Sequence, residues 1–258
     1  MTIAAGLLCE DGIILASDTM YRTNGGSTYG EKIYPITDRP WLKVAVAGAG
    51  PVGFIQAATQ KIQNALPLRI TPILGVQTII ESANKVFYEQ YVLPHSQTPY
   101  YGLLIAVSHE INGSILLHTT ANATVRVNDR ELEGTGGVVA EPYKRLWRKD
   151  MPAFEAELMA IFLVKYAKTY DHENCGGETR VFTLYNHRLS QLDAGYISSG
   201  ERYFKWFDKF SLSMILPADI GELDDEMLES EIGTLVQELK HRRANLIRRH
   251  PHAYLPVL

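Results

Sequence analysis

Thr2 stands directly behind Met1, and a threonine that becomes the first residue of a chain carries a hydroxyl and a free α-amine together. That pairing is a nucleophile with its own base. An ordinary α-amine titrates at about 7.7–8.0, close to working pH, so it can take the hydroxyl proton without help from a histidine. Activation of threonine by an N-terminal amine is one way to make a weak hydroxyl attack a carbonyl. No long segment precedes Thr2 in this sequence, so removal of Met1 alone is expected to release it. Two further runs carry charged groups that could serve the same chemistry, Leu15-Ala16-Ser17-Asp18 and Glu31-Lys32-Ile33. Taken alone, Asp18 and Lys32 would be an unremarked surface ion pair. A third run, Ala47-Gly48-Ala49-Gly50-Pro51, reads as the end of a strand leading into a helix, and exposes backbone N–H groups that suit a developing negative charge.

The elements that must position these groups follow from pattern. Ile3 to Leu8 and Ile13 to Ala16 are short, apolar and rich in branched residues, with Glu10-Asp11-Gly12 as a turn between them. They read as a hairpin that sets Thr2 beside Asp18. Residues 23–28 read as a loop by composition, followed by a short strand at Lys32-Ile33-Tyr34, a turn at Asp38-Arg39-Pro40 and a strand over residues 42–47. Pro51 suits the first turn of a helix running to about Leu66. Apolar residues at three-and-four spacing from Ile73 to Val92 predict a second helix, closed by Pro94 and Pro99. Strands are expected at 103–108, 114–119 and around Val125 and Leu132, helices at 138–149 and 153–170, and a last hairpin at 180–185 and 188–194. Strands and helices in alternating blocks argue for α+β layers over a doubly wound sheet.

Thr2, Asp18, Lys32 and Gly48, in that order and spacing, resemble the proteasome β-subunits and their bacterial ATP-dependent relatives, the N-terminal-nucleophile hydrolases. Tyr101-Gly102-Leu103-Leu104-Ile105-Ala106 is similar to that family's central strand, Glu133-Gly134-Thr135-Gly136-Gly137 to its Gly-Ser-Gly loop, and Asp171 with Cys175-Gly176-Gly177 to its Asp-x-x-Ser-Gly-Gly turn. The resemblance spans roughly residues 2–200. It implies a four-layer αββα sandwich over residues 1–216, with residues 217–258 as a C-terminal helical extension.

It also implies roles. Thr2 would attack, its amine acting as base through a water. Lys32 would place positive charge beside it, with Asp18 holding that ammonium, and the Gly48 N–H would donate to the oxyanion. Thr135 and Asp171 would flank the α-amine, with Cys175 standing where the family has Ser. Tyr21, Gly30, Val46 and Gly50 would line the pocket for the residue before the cut. The partners implied are a homo-oligomeric ring, a polypeptide substrate and an ATP-dependent unfoldase, and no cofactor or metal is implied. Two other readings stay open: a small-amide hydrolase or transpeptidase on the same fold, and a catalytically silent ring scaffold.

Composition excludes other classes. A net charge of −4 over 258 residues gives no electrostatic pull toward nucleic acid or anionic membrane. No apolar run reaches the ~18–20 residues needed to span a bilayer, and the start lacks a basic n-region, so a cytoplasmic protein is expected. Two cysteines, Cys9 and Cys175, are too few for a disulfide framework. The run Gly48-Ala49-Gly50-Pro51-Val52-Gly53 lacks the Lys-Ser/Thr ending of a phosphate-binding loop, and the eight histidines form no HExxH motif. His250-Pro251-His252 reads as a solvated tail. The aromatics of residues 203–215 fit a core edge or a subunit contact. The acidic run at 222–226 and basic residues at 240–249 complement the dipole of a helix across that stretch.

Overall fold

Strands β1 (Ala4–Cys9) and β2 (Gly12–Asp18) are buried along their whole length. They pair antiparallel from Ala4 opposite Ser17 to Cys9 opposite Gly12. Every position before Asp18 is apolar or small because both faces are covered, so the alternation of a half-exposed strand is missing. Alternate residues still go opposite ways: Ile3, Ala5 and Leu7 pack under helices, whereas Ala4 and Leu8 face a second sheet.

The computed structural model describes residues 2–23, 25–95 and 100–215. The chain divides into two compact units, Met1–Ile197 and Ser198–Leu258. In the first, β1 and β2 are joined by β10 (Arg130–Glu133), β11 (Thr179–Tyr185) and β12 (Arg188–Gln191) in the order β10-β1-β2-β11-β12. The second sheet has the order β5-β6-β7-β8-β9, built from β5 (Ile33–Arg39), β6 (Leu42–Ala49), β7 (Gly102–His109), β8 (Gly113–Thr120) and β9 (Ala123–Val127). Every pairing in both sheets is antiparallel.

The facing sides of the two sheets share a core that includes Leu15, Leu104, Leu116 and Leu184. Helices α1 (Val52–Ala65) and α2 (Ile73–Phe87), the latter continued by a π-helical stretch Tyr88–Val92, cover the second sheet. Helices α3 (Thr135–Lys144) and α4 (Ala153–Tyr170) pack on the first. Pro51, Pro72 and Pro152 each stand just ahead of α1, α2 and α4 with extended ψ of 127°, 149° and 150°. Lacking an N–H, a proline there leaves no orphan donor. The α+β expectation holds at this level. A helix α5 (Ala194–Ile215) follows β12 and carries the aromatics expected around 203–215. The expected extension at 217–258, with its charge runs and His250-Pro251-His252, lies outside the described residues.

Four local expectations are corrected. Residues 23–28 are not simply a loop: β3 (Met20–Thr23) and β4 (Gly26–Tyr29) form an antiparallel hairpin. Its second strand is exposed throughout, which is why no apolar pattern marked it. β5 runs on through Asp38-Arg39, with the turn at Pro40-Trp41. β12 stops at Gln191. The helix expected at 138–149 spans Thr135–Lys144. Its glycine-rich first turn is helical because the packing demands bare backbone: a Cβ on Gly136 would sit 2.5 Å from Cys175 Sγ and 2.9 Å from Ile3 Cβ. That close approach outweighs the intrinsic helix penalty of glycine, about 1 kcal/mol.

Leu116 lies fully buried in the core between the sheets. Leu116→Ala is expected to cost about 2–5 kcal/mol, through lost transfer energy and the cavity left behind. Chemical denaturation of the two proteins checks it: a loss under 1 kcal/mol would show that the two sheets are not packed as a single core.

Candidate active site

Asp18 closes β2, and the chain turns sharply after it. The N–H groups of Ile3 (3.1 Å) and Met20 (3.2 Å) donate to its carboxylate from either side. A third N–H, that of Gly176, arrives at 3.0 Å from the loop after α4. The carboxylate is completely buried and oriented by main chain before any side chain reaches it.

Lys32, just ahead of β5, brings its ammonium to Asp18 Oδ1 at 2.8 Å, both side chains at 0% exposure. Nζ also donates to Thr2 Oγ1 and to the Met20 carbonyl, so each ammonium hydrogen has an acceptor. The ring of Tyr21 lies over it, 4.8 Å from centroid to Nζ. Thr2 Oγ1 in turn donates to Asp18 Oδ1. Burial pulls the Lys32 ammonium below its ordinary value, and Asp18 opposes that fall by charge and hydrogen bond.

The loop Gly134-Thr135-Gly136 holds the main chain of Thr2. Gly136 N–H donates to the Thr2 carbonyl at 3.1 Å. Gly134 has φ 86°, and a Cβ there would meet the Thr2 carbonyl oxygen at 2.2 Å, so only glycine lets the two strands close. Above this layer opens a cavity of about 840 Å³ lined by Tyr21, Gly30, Gly50, Tyr100, Thr135 and others. Thr2, at 2% exposure, is not one of the residues that line it, though its neighbours Gly134 and Thr135 are.

The structure therefore brings Thr2, Asp18 and Lys32 into mutual contact, and Tyr21, Gly30, Gly50 and Thr135 onto one cavity. Other expected residues are placed differently. Val46 points into the core under α1, fully buried, and does not line the cavity, since its face of β6 is the helix-covered one. The Gly48 N–H is engaged by the Lys32 carbonyl at 3.1 Å, continuing the β5–β6 pairing by one residue. Thr135 Oγ1 is buried and has no hydrogen-bond partner.

Asp171 binds within its own turn, to Asn174 Nδ2 at 2.7 Å and to Cys175 Sγ at 3.7 Å. Burial first, then the charges of Asp18 and Asp171, push the Cys175 thiol up, which keeps it protonated and unreactive. The sequence reading gave no role to the Met20 carbonyl or the Gly176 N–H, and quoted Glu133 only as the start of the glycine-rich loop, not as a buried acid. Main-chain groups leave no mark in residue type, whereas an acid at the end of the largely buried strand β10 was a visible signal. Among the described residues no cluster fit to hold a metal ion occurs. No described helix is long and apolar enough to cross a membrane.

No protein-family model matches the chain, and no curated protein matches it. Solved structures do. The chain is similar to the Anbu complex of Pseudomonas aeruginosa, described as a helical assembly, with a TM-score of 0.68 and 11% identity over 82% of this chain and 96% of that one. For a Gly-1 mutant of Anbu from Hyphomicrobium sp. strain MC1 the TM-score is 0.69, at 14% identity over 83% and 99%. For Anbu of Yersinia bercovieri, described as an ancestral beta-subunit, it is 0.67, at 14% identity over 86% and 98%. At such identities the likeness shows the fold alone. It corrects the expectation drawn from the motifs: the solved structures named here are Anbu, and no family model places the chain among proteasome β-subunits.

Asp18→Asn leaves a buried ammonium without its counter-charge and should destabilise the protein by about 3–5 kcal/mol. Lys32→Met in that background should recover part of the loss. Because the folded state holds the Lys32 proton less tightly than the unfolded chain, folding releases a proton in the window below the ordinary lysine value of 10.5. Stability contributed there rises with pH. The Asp18→Asn deficit should therefore shrink as pH climbs toward that value. Denaturant titrations from neutral to alkaline pH measure it, and a deficit that is constant or grows contradicts the assignment.

Proposed function

We propose that the chain is an N-terminal-threonine peptidase in which Thr2, freed by removal of Met1, is the nucleophile. The observation that carries this reading is the placing of Thr2 Oγ1 between the Lys32 ammonium and the Asp18 carboxylate, below a cavity with an apolar lining. The likeness to Anbu and the helix-covered pair of sheets, which we read as a four-layer αββα sandwich, support it.

The reaction needs no group beyond the chain and a water. The α-amine accepts the Oγ proton, directly or through a water, as Oγ attacks the scissile carbonyl carbon. Lys32 favours the alkoxide by charge at hydrogen-bond range. The carbonyl oxygen gathers negative charge beside the Gly48 N–H. As the tetrahedral intermediate collapses, the C–N bond breaks, the protonated amine hands its proton to the leaving nitrogen, and an ester links the acyl group to Thr2. Water, deprotonated by the same amine, then cleaves the ester and restores the hydroxyl. Thr135 Oγ1, a hydroxyl lacking a partner on the cavity wall, stands as the group that would meet the free amine.

The assembly we infer is homo-oligomeric, as in the helical arrangement described for the Pseudomonas protein. If copies of the chain enclose Thr2 in a closed ring, folded substrates would require an ATP-dependent unfoldase.

Intact-mass measurement of the purified protein should show loss of Met1 and, after exposure to a β-lactone, one covalent adduct. Thr2→Ala should give no adduct, and Lys32→Ala should lower hydrolysis of unstructured peptides roughly 10³-fold or more. Retention of Met1 with no adduct sinks the proposal. Turnover of small amides without cleavage of any polypeptide would move it to the amidase reading.

A further inference from the structure

Glu133 lies outside the chemistry described so far, at 3% exposure at the end of β10 and opposite Ala4 of β1. Both of its oxygens are taken. Oε1 is hydrogen-bonded to Nε2 of His118 on β8, and Oε2 accepts the hydroxyl proton of Tyr100. The backbone makes room for this acid: a Cβ on Gly102 would fall 2.4 Å from Glu133 Oε2. A buried carboxylate is costly unless each lone pair is served, and apolar residues of similar size would fill the space without that penalty. The two partners are unequal. His118 is mostly covered, whereas Tyr100 keeps 59% of its surface exposed and forms part of the 840 Å³ cavity.

Tyr100 is thus an exposed ring whose hydroxyl turns inward onto an acid when water was available to it. Burial of that hydroxyl and the bond to Glu133 push its phenol well above the ordinary value, so it remains a donor through the neutral range. With the hydroxyl pinned, the ring forms a fixed part of a wall that also holds Pro51, Val52 and Val138, with Arg22, Glu31 and Gln56 elsewhere on the lining. A fixed aromatic face bordered by aliphatic groups takes apolar or aromatic side chains. The residue after Glu133 is Gly134, the one packed on the Thr2 carbonyl, so selection and nucleophile share one junction between β10 and α3.

We propose that Tyr100 selects apolar side chains of a bound peptide, and that Glu133 and His118 are positioning residues that hold its ring on the cavity wall. This rests on the peptide-binding part of the function proposed above. It does not require that Thr2 be reactive.

The test uses two N-acetylated tripeptide amides that differ at one residue, phenylalanine in one and glycine in the other. Binding to the full chain is measured by calorimetry. The unmodified protein should prefer the phenylalanine probe by about tenfold or more, in the range a hydrophobic pocket provides. Tyr100→Ala should abolish the preference. Tyr100→Phe and Glu133→Gln should each reduce it severalfold, and the double variant should be no worse than Tyr100→Phe. Damage to Glu133 that merely loosened the fold would add to the loss. His118→Gln should fall between Glu133→Gln and the unmodified protein.

Where peptides are cut, the same variants should raise KM for the phenylalanine substrate more than for the glycine substrate. If Glu133→Gln does not fold, Tyr100→Phe against Tyr100→Ala carries the comparison. Equal preference in all proteins, strict additivity, or no binding of either probe overturns the proposal. A binding preference that follows Tyr100 in a protein whose Thr2 never reacts upholds it while the peptidase reading falls.

Discussion

A lysine ammonium with no access to water is the constraint around which the rest of this structure is arranged. Lys32 is at 0% exposure, as is Asp18, and an ion in such a place persists only if a counter-charge and a full set of acceptors are already in position. The three acceptors come from three stretches of chain: Asp18 at the end of β2, the Met20 carbonyl just beyond it, and Thr2 ahead of β1. Satisfying one ammonium therefore fixes the relative places of the first hairpin and the start of the second sheet. Asp18 is tied in turn to the loop after α4 through the Gly176 N–H. Segments far apart in sequence meet at one buried charge.

The layers make that charge possible. Two antiparallel sheets facing each other, with helices packed on them, exclude water from β1 and β2 along their whole length, ends included. The first strands need no polar face and are built from residues such as Ile3, Leu7, Ile13 and Leu15, all fully buried. The glycines at 134 and 136 then admit the β10–α3 turn to within contact of Thr2 and Cys175. A low-dielectric surround strengthens the pull of Lys32 on any negative charge that forms at Thr2 Oγ1. It also raises the penalty for removing any single partner, so the stability of this centre rests on all of its contacts together.

Much of this was legible in the sequence, for identifiable reasons. The first hairpin is marked by continuous apolar runs about a turn, α1 by the proline at its start and α2 by three-and-four apolar spacing, and their existence follows from pattern alone. The trio Thr2, Asp18 and Lys32 was visible because each is a charged or hydroxyl residue at the margin of an apolar run. The exposed hairpin of β3 and β4 has no such margin, so composition read as loop. The early start of α3 was hidden because Gly136 obeys a tertiary demand, contact with Cys175, that overrides local preference. Val46 was placed on the pocket by analogy, while the pleat of β6 sends it to the opposite face. The analogy also pointed to proteasome-like peptidases, although motif residues report a local constellation, whereas the likeness to Anbu extends over 82–83% of the chain.

The engagement of the Gly48 N–H with the Lys32 carbonyl bears on how such a centre could handle an oxyanion. This bond extends the β5–β6 ladder past Ile33 opposite Ala47, and so sets where the lysine side chain departs from the backbone. If Gly48 rotated to free its N–H, the departure point of Lys32 would shift and the buried ammonium would lose its acceptors. The donor must therefore remain aimed as it is, and an incoming oxygen can only join as a second acceptor. A shared donor is individually weaker than a free one. Its direction, however, is set before substrate arrives, and a dipole that need not reorient is what makes fixed N–H groups effective toward developing charge. On this geometry Gly48 chiefly ties the lysine to β6, the strand that leads into Gly50 and Pro51 of the cavity wall.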